Sequence, residues 1–346
     1  MKRVTTIPPV FVVGTGRCGS TMISKVLNRH PDVLSLSEFF GFLELKWCVY
    51  RRRSGEQMWD FYSRHRKRTR LMLRGHYEEL LYPFDDQDAR YTRRNLPPIL
   101  CTTLPNLTSR HEELFDELRP FVQAQPKQRP ADHFRSLFEW LCERFGRKIW
   151  VERSGTSLML VSKLMHEFPD ARFIHIYRDG REVAISMSRH YLFRTILANV
   201  MLLRRFGVDT IKMMANGRRW QKINPWLELL ANGLINPSWL PYDKAALSDY
   251  AAFWQVQIDM THDLFSQLPA TRLLNIRFED MLAQPEEQLQ RLIRFIDPSL
   301  ENKTWLQEVS GIPRPVQPKF EQLGDYDKAA IIAACRAGLE SLDYPV

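Results

Sequence analysis

The segment VFVVGTGRCGST, Val10 to Thr21, constrains the fold of this chain more than any other. Four consecutive apolar residues read as a strand buried on both faces. Gly14 to Gly19 is a tight, glycine-dense turn. Behind it Met22, Ile23, Val26 and Leu27 recur at helical spacing until Pro31 stops the helix. A strand, a glycine loop and a helix in that order place backbone N–H groups and a helix N-terminus where they cradle an anion. Glycine permits the positive φ such loops use. Ser20 and Thr21 add hydroxyl donors, and Arg17 adds a planar cationic fork.

Three ligands compete for this loop, beside the plain alternative of a ligand-free turn. Gly14, Gly16 and Gly19 satisfy G-x-G-x-x-G, and Glu38 follows at about the distance of a ribose-binding acid, which points to a dinucleotide. Against that, an arginine sits inside the loop and hydroxyl residues follow it. The letters also approach a nucleoside-triphosphate loop, but Ser20 stands where the phosphate-binding lysine belongs. The third ligand is a single 5′-phosphate carrying a transferable group, served by Arg17 and the hydroxyls.

The same grammar recurs downstream. Ser157 to Phe168 reads as a helix, Arg172 to Tyr177 as a strand and Arg181 to His190 as a helix. Leu273 to Phe278 reads as a strand, and Pro285 to Phe295 as a helix opened by proline. Strands alternating with helices predict an α/β fold, a central parallel sheet flanked by helices. We expect one domain over 1–346 with mainly helical insertions at about 46–130 and 191–245, capping the acceptor side of the sheet's ligand edge. The second strand–turn–helix delivers Arg178 to a strand end, with Ser186 eight residues later. Glu182, Ser186 and His190 share one helical face. An arginine and a serine hydroxyl together suit a second phosphate.

With 346 residues, the chain is long enough to bury a core without disulfides. The net charge is +9, and Lys46 to Arg110 carries most of it, with 14 Lys/Arg against 7 Asp/Glu. Anionic partners follow from such a balance. Arg51 to Arg53 and Arg64 to Arg74, interleaved with aromatics, allow an anionic surface contact through segment 46–74, a solvated basic face being the plain alternative. Nucleic acid is the weaker partner. Five cysteines without a C-x-x-C exclude a disulfide framework and a zinc site, and no metal is expected. Neither a signal peptide nor an integral membrane span is legible; Arg194 interrupts the longest apolar run, Leu192 to Leu203. A cytoplasmic protein is the expectation.

The two anion motifs together resemble the sulfotransferase family that uses 3′-phosphoadenosine 5′-phosphosulfate (PAPS), closest to its bacterial and protein-tyrosine-sulfotransferase-like branch. The first loop is similar to that family's 5′-phosphosulfate loop, and Arg178 with Ser186 to its 3′-phosphate motif. His30-Pro-Asp-Val33, Arg277-Phe-Glu-Asp280 and the tail from Lys319 to Tyr344 match its later segments. The resemblance implies a nucleotide-kinase-like fold and transfer of sulfuryl to a hydroxyl of a small-molecule, lipid or saccharide acceptor. Gly14, Thr15, Gly16, Arg17, Cys18, Gly19, Ser20, Thr21, Arg178 and Ser186 would hold PAPS, with Lys319 as the late basic residue over the 3′-phosphate. Cys18 stands where the family usually has serine, and a thiol is the poorer donor.

In-line sulfuryl transfer needs a stabiliser for the leaving phosphate and a base for the acceptor. Arg17 is the candidate for the first and Glu38 for the second. Glu38 follows the apparent second strand, 21 residues after Arg17, where the related protein-tyrosine sulfotransferases hold their catalytic glutamate. Its alternative is a helix-start carboxylate. Histidine is the second choice of base: His175 lies in a strand, and His65, His76, His111 and His133 fall in an insertion. Arg153 occupies a position where many relatives have a lysine. Two other readings stay open, a Rossmann-type NAD(P)-dependent oxidoreductase and a catalytically weak sulfotransferase-like protein that binds polyanions or membranes.

Overall fold

The computed structural model describes residues 8–42, 51–74, 79–211 and 244–346. Five strands form one sheet: β1 Val10–Val13, β2 Val33–Ser37, β3 Ile149–Arg153, β4 Arg172–Tyr177 and β5 Leu273–Arg277. Their order is β2-β3-β1-β4-β5, and every neighbouring pair is parallel. Parallel pairs require crossovers, and the crossovers here are helices that cover both faces. Those that matter for the site are α1 Ser20–Asn28, α2 Pro130–Phe145, α3 Gly180–Ser188, α4 Tyr191–Arg204, α5 Leu247–Ser266, α6 Pro285–Ile296 and α7 Asp325–Ser341.

The alternation of side chains along β1 splits the core in two. Val10 and Val12 pack with Ile174, Ile176 and apolar residues of α1 and α6. Phe11 and Val13 face the other way, where the Phe11 ring meets Trp150, Phe168 and Phe173 with centroids 5.1–5.9 Å apart. Every residue of β1, β2 and β3 is buried, which explains the unbroken apolar run at β1.

One strand was not legible as such. Ile149–Arg153 ends in Glu152 and Arg153, a charged pair that argues against a central strand. Both are buried here because the fold supplies partners: Ser154 Oγ donates to Glu152 at 2.5 Å, and Arg153 bonds Glu38. The placement of β3 matters, because it separates β1 from β2. In a Rossmann sheet those two strands are neighbours.

The first insertion seals the β2 edge, which would otherwise offer unpaired backbone groups. Thr103 Oγ1 donates to the Ser37 carbonyl at 3.0 Å and Asn106 Nδ2 to the Ser35 carbonyl at 3.1 Å. The insertion is mainly helical, with helices at Gly55–Ser63 and His111–Gln123. Its described histidines serve the fold: His65 bonds the Leu96 carbonyl at 2.9 Å and His111 is buried, while His133, just past the insertion in α2, bonds the Arg53 carbonyl at 2.8 Å. His76 lies outside the described residues. In the basic segment, Arg66 is tied to Asp60 at 2.7 Å while Arg51 and Arg52 are exposed; 46–50 lies outside the description.

The apolar run from Leu192 forms α4, half-buried along its length, and 212–243 of that insertion lies outside the described residues. Among the described residues no helix is long and apolar enough to cross a membrane, and no cluster of side chains suits a metal ion. Cys18, Cys101, Cys142 and Cys335 are buried free thiols.

Candidate active site

A cavity of about 370 Å3 opens at the C-terminal edge of the sheet, and all five strand ends contribute to it. Its floor is the loop after β1. Gly16, Arg17 and Gly19 have φ of 80°, 56° and 95°, so the chain is left-handed at three points within four residues. Only glycine fits at two of them. A Cβ on Gly16 would lie 2.5 Å from the Phe193 ring, and one on Gly19 would overlap the Phe278 ring. Gly19→Ala therefore combines a strained φ with overpacking and should destabilise the fold by about 1–3 kcal/mol in denaturant unfolding. Immediately after Gly19, α1 begins. The Met22 amide bonds the Gly19 carbonyl at 3.0 Å, and Ser20 and Thr21 line the cavity at the start of the helix.

The two anion motifs meet. Arg17 Nε donates to Ser186 Oγ at 3.1 Å, across 169 residues of sequence. Arg178 enters the same cavity from the end of β4. Its guanidinium lies 4.9 Å from the centroid of the Phe278 ring and 3.5 Å from Glu182 Oε2, so it is oriented on two sides. Glu182 Oε1 accepts the backbone N–H groups of Lys319 and Phe320, both at 2.7 Å. One carboxylate thus ties Arg178 to the C-terminal segment.

Glu38 stands at the end of β2. It is 2% exposed and has φ of 54°, a left-handed conformation that costs a non-glycine residue about 1–3 kcal/mol. Three contacts hold it: its N–H donates to the Arg153 carbonyl at 2.7 Å, while its Oε1 accepts from the Gly155 N–H at 3.0 Å and from the Arg153 guanidinium. Burial pushes its carboxyl above the ordinary glutamate range. Arg153 pulls it back, and the charge of Glu79 pushes it further up.

Glu79 comes from the first insertion. It lies 3.4 Å from His190 Nε2 and 4.0 Å from Arg17 Nη1. Burial would raise its carboxyl, but His190, Arg17 and Arg153 together outweigh that and hold it below the ordinary range. His190, 2% exposed, precedes the first turn of α4, and its ring packs edge-on against Phe193 with centroids 5.5 Å apart.

Of the residues singled out by sequence, Gly16, Arg17, Gly19, Ser20, Thr21, Glu38, Arg178 and Ser186 line this one cavity, as does Arg153. Four do not. Gly14 is drawn away by Ser157, whose hydroxyl accepts its N–H at 3.3 Å. Thr15 is buried, its hydroxyl donating to the Gly16 carbonyl at 3.0 Å. Cys18 points into the core beside Ile174 and Ile176, and burial pushes its thiol up. Lys319 touches Glu182 through its backbone, and its side chain is not among the cavity walls. His175 is buried in β4, 3.1 Å from Asn275 Oδ1, with its pKa lowered by burial to about 4. Sequence reasoning missed Glu79, Lys25, Gly155 and Thr156, and it gave no role to His190. Only His190 carried a signal, its four-residue spacing from Ser186.

Comparison with known proteins identifies the family. A family model described as "Sulfotransferase family" matches residues 8–227 and 234–302. Two curated relatives, from Mycobacterium bovis and Mycobacterium tuberculosis, carry the name omega-hydroxy-beta-dihydromenaquinone-9 sulfotransferase Stf3. Each is 25% identical over 297 residues, which is 84% of this chain and 62% of the relative. The chain thus spans about three-fifths of the length of the curated relatives it matches. Among solved structures, the sulfotransferase domain of the Synechococcus PCC 7002 olefin synthase is similar at 15% identity with a TM-score of 0.45, covering 100% of this chain and 98% of that one. Sulfotransferase STF9 from Mycobacterium avium is similar at 16% identity with a TM-score of 0.44, covering 99% and 79%. The family match spans most of the chain, and the chain belongs to the sulfotransferase family.

Proposed function

We propose that this protein transfers a sulfuryl group from PAPS to a hydroxyl of a small-molecule, lipid or saccharide acceptor. The observation that carries the reading is the meeting of Arg17 and Arg178 in one cavity, joined through the Arg17–Ser186 hydrogen bond. The cavity suits such a donor. Arg17, Lys25 and Arg178 are cations for its phosphates, and Ser20, Thr21 and Ser186 bring hydroxyls. Its volume lies within the range of small-molecule sites. When bound, PAPS supplies an activated sulfuryl group and leaves as 3′,5′-adenosine bisphosphate.

The chain's own residues divide the remaining work. Arg17, fixed through Ser186, faces the charge that grows on the departing 5′-phosphate. Arg178, held by Glu182 and Phe278, grips the 3′-phosphate. Glu38 takes the acceptor proton, and its raised pKa makes it the stronger base. Arg153 and the Gly155 amide fix the orientation of that carboxylate. Phe193 and Phe278 close the loop against water. The two insertions supply the acceptor side, through Glu79 and through the start of α4. The mycobacterial relatives are named for a hydroxylated menaquinone, which favours a lipid alcohol among the acceptor classes. Free thiols at all four described cysteines suit a cytoplasmic setting.

Incubation with sulfur-35-labelled PAPS and a panel of hydroxyl compounds and metabolite extracts tests this reading. Label should appear in an acceptor. Nucleotide binding without transfer to any acceptor would point instead to a sulfotransferase-like binding protein.

A further inference from the structure

We infer that Glu79, held by His190, is a charge filter at the acceptor end of the cavity, which admits neutral hydroxyl compounds and rejects anionic ones. The inference rests on the proposed function and assigns a determinant of acceptor class within it. It runs against the expectation from net charge, which pointed to anionic partners.

Among the described residues lining the cavity, the cations are Arg17, Lys25, Arg153 and Arg178 and the carboxylates are Glu38 and Glu79. A donor with phosphates at both ends of its ribose takes Arg17, Lys25 and Arg178. The remaining cation, Arg153, is already bonded to Glu38, and both are buried. Among the described residues no lining arginine or lysine is then left to neutralise a charged acceptor, and the His190 ring, the other basic group of the wall, is engaged by Glu79 at 3.4 Å. Glu79 adds the opposite sign. It is 17% exposed, 4.0 Å from the Arg17 guanidinium and 3.4 Å from His190, so it is held at the wall beside the reacting end. His190 is itself packed against Phe193, which closes on Gly16, so the filter is built onto the same loop that holds the donor. A carboxylate or phosphate on an acceptor would be brought up to Glu79 and Glu38 in a partly desolvated site, where like charges repel strongly.

The test uses protein saturated with 3′,5′-adenosine bisphosphate and two matched probes, 2-naphthol and 6-hydroxy-2-naphthoate, with binding read by calorimetry. Wild type should bind the neutral probe at least ~10-fold more tightly than the anionic one. Glu79→Gln, nearly isosteric, should bring the two affinities within about threefold of each other. Bisphosphate binding by the variant shows that it is folded. Failure of wild type to bind the bisphosphate would sink the proposed function itself. With the bisphosphate bound, three results overturn the filter alone: equal wild-type affinities for the probes, no binding of either probe, or a preference that survives in Glu79→Gln.

Discussion

Replacing Glu38 by Gln lowers turnover at least ~100-fold, the range for losing a general base, while affinity for 3′,5′-adenosine bisphosphate stays within about twofold of wild type. Gln is the right replacement because its amide oxygen still accepts from Arg153 and Gly155. Ala would leave the buried Arg153 guanidinium without Glu38 and cost about 3–5 kcal/mol of stability, confusing fold with function. The pH profile adds an independent check. A base works only when deprotonated, and burial raises Glu38 above its ordinary value. The acid limb of kcat/KM should therefore lie above the usual carboxylate range. Glu79→Gln removes a like charge that pushes Glu38 upward, so in that variant the limb should move down. A split of kcat from nucleotide affinity, with a shifted limb, would assign Glu38 to proton transfer. Unchanged turnover in Glu38→Gln would hand the base role to His190 or Glu79.

The second large effect concerns the other end of the donor. Arg178→Ala should weaken binding of 3′,5′-adenosine bisphosphate by at least ~30-fold, the lower end for truncating one partner of a largely buried charged contact. Arg178 is only 14% exposed and already oriented by Glu182 and the Phe278 ring, so little ordering cost offsets its contact with a phosphate. Calorimetry on the variant gives the number directly. An affinity within threefold of wild type would remove Arg178 from the nucleotide site.

Much of this architecture was legible in the letters because local and global signals agree. At β1 the apolar run, the glycines and the helical period behind them all state strand–loop–helix, and the structure has that unit. At β4 the strand, turn and helix likewise agree, and Glu182 and Ser186 lie one turn apart on α3; the expected face does not extend to His190, because α3 ends at Ser188 and His190 reaches the cavity as the extended residue before α4. Legibility failed where a residue's role depends on distant partners. Ile149–Arg153 was not among the strands read from sequence, since nothing local reveals that Glu38 and Ser154 satisfy the charged Arg153 and Glu152. Glu79 sits in an insertion with no period and reaches the cavity only through the tertiary fold. Cys18 shows the converse. Its letter occupies a binding motif, yet the turn that exposes Arg17 sends the thiol into the core. The substitution of serine by cysteine is then a packing matter, and a Cys18→Ser variant should change nucleotide affinity by less than about threefold, the surplus hydroxyl costing stability instead.

The central claim is that a single nucleotide spans both arginines, and titration of 3′,5′-adenosine bisphosphate against 5′-AMP measures it most directly. The account predicts that the bisphosphate binds one to one and at least ~100-fold more tightly, because only it reaches Arg178 and Ser186 while its 5′-phosphate rests on the glycine loop. Equal affinities for the two nucleotides would contradict it.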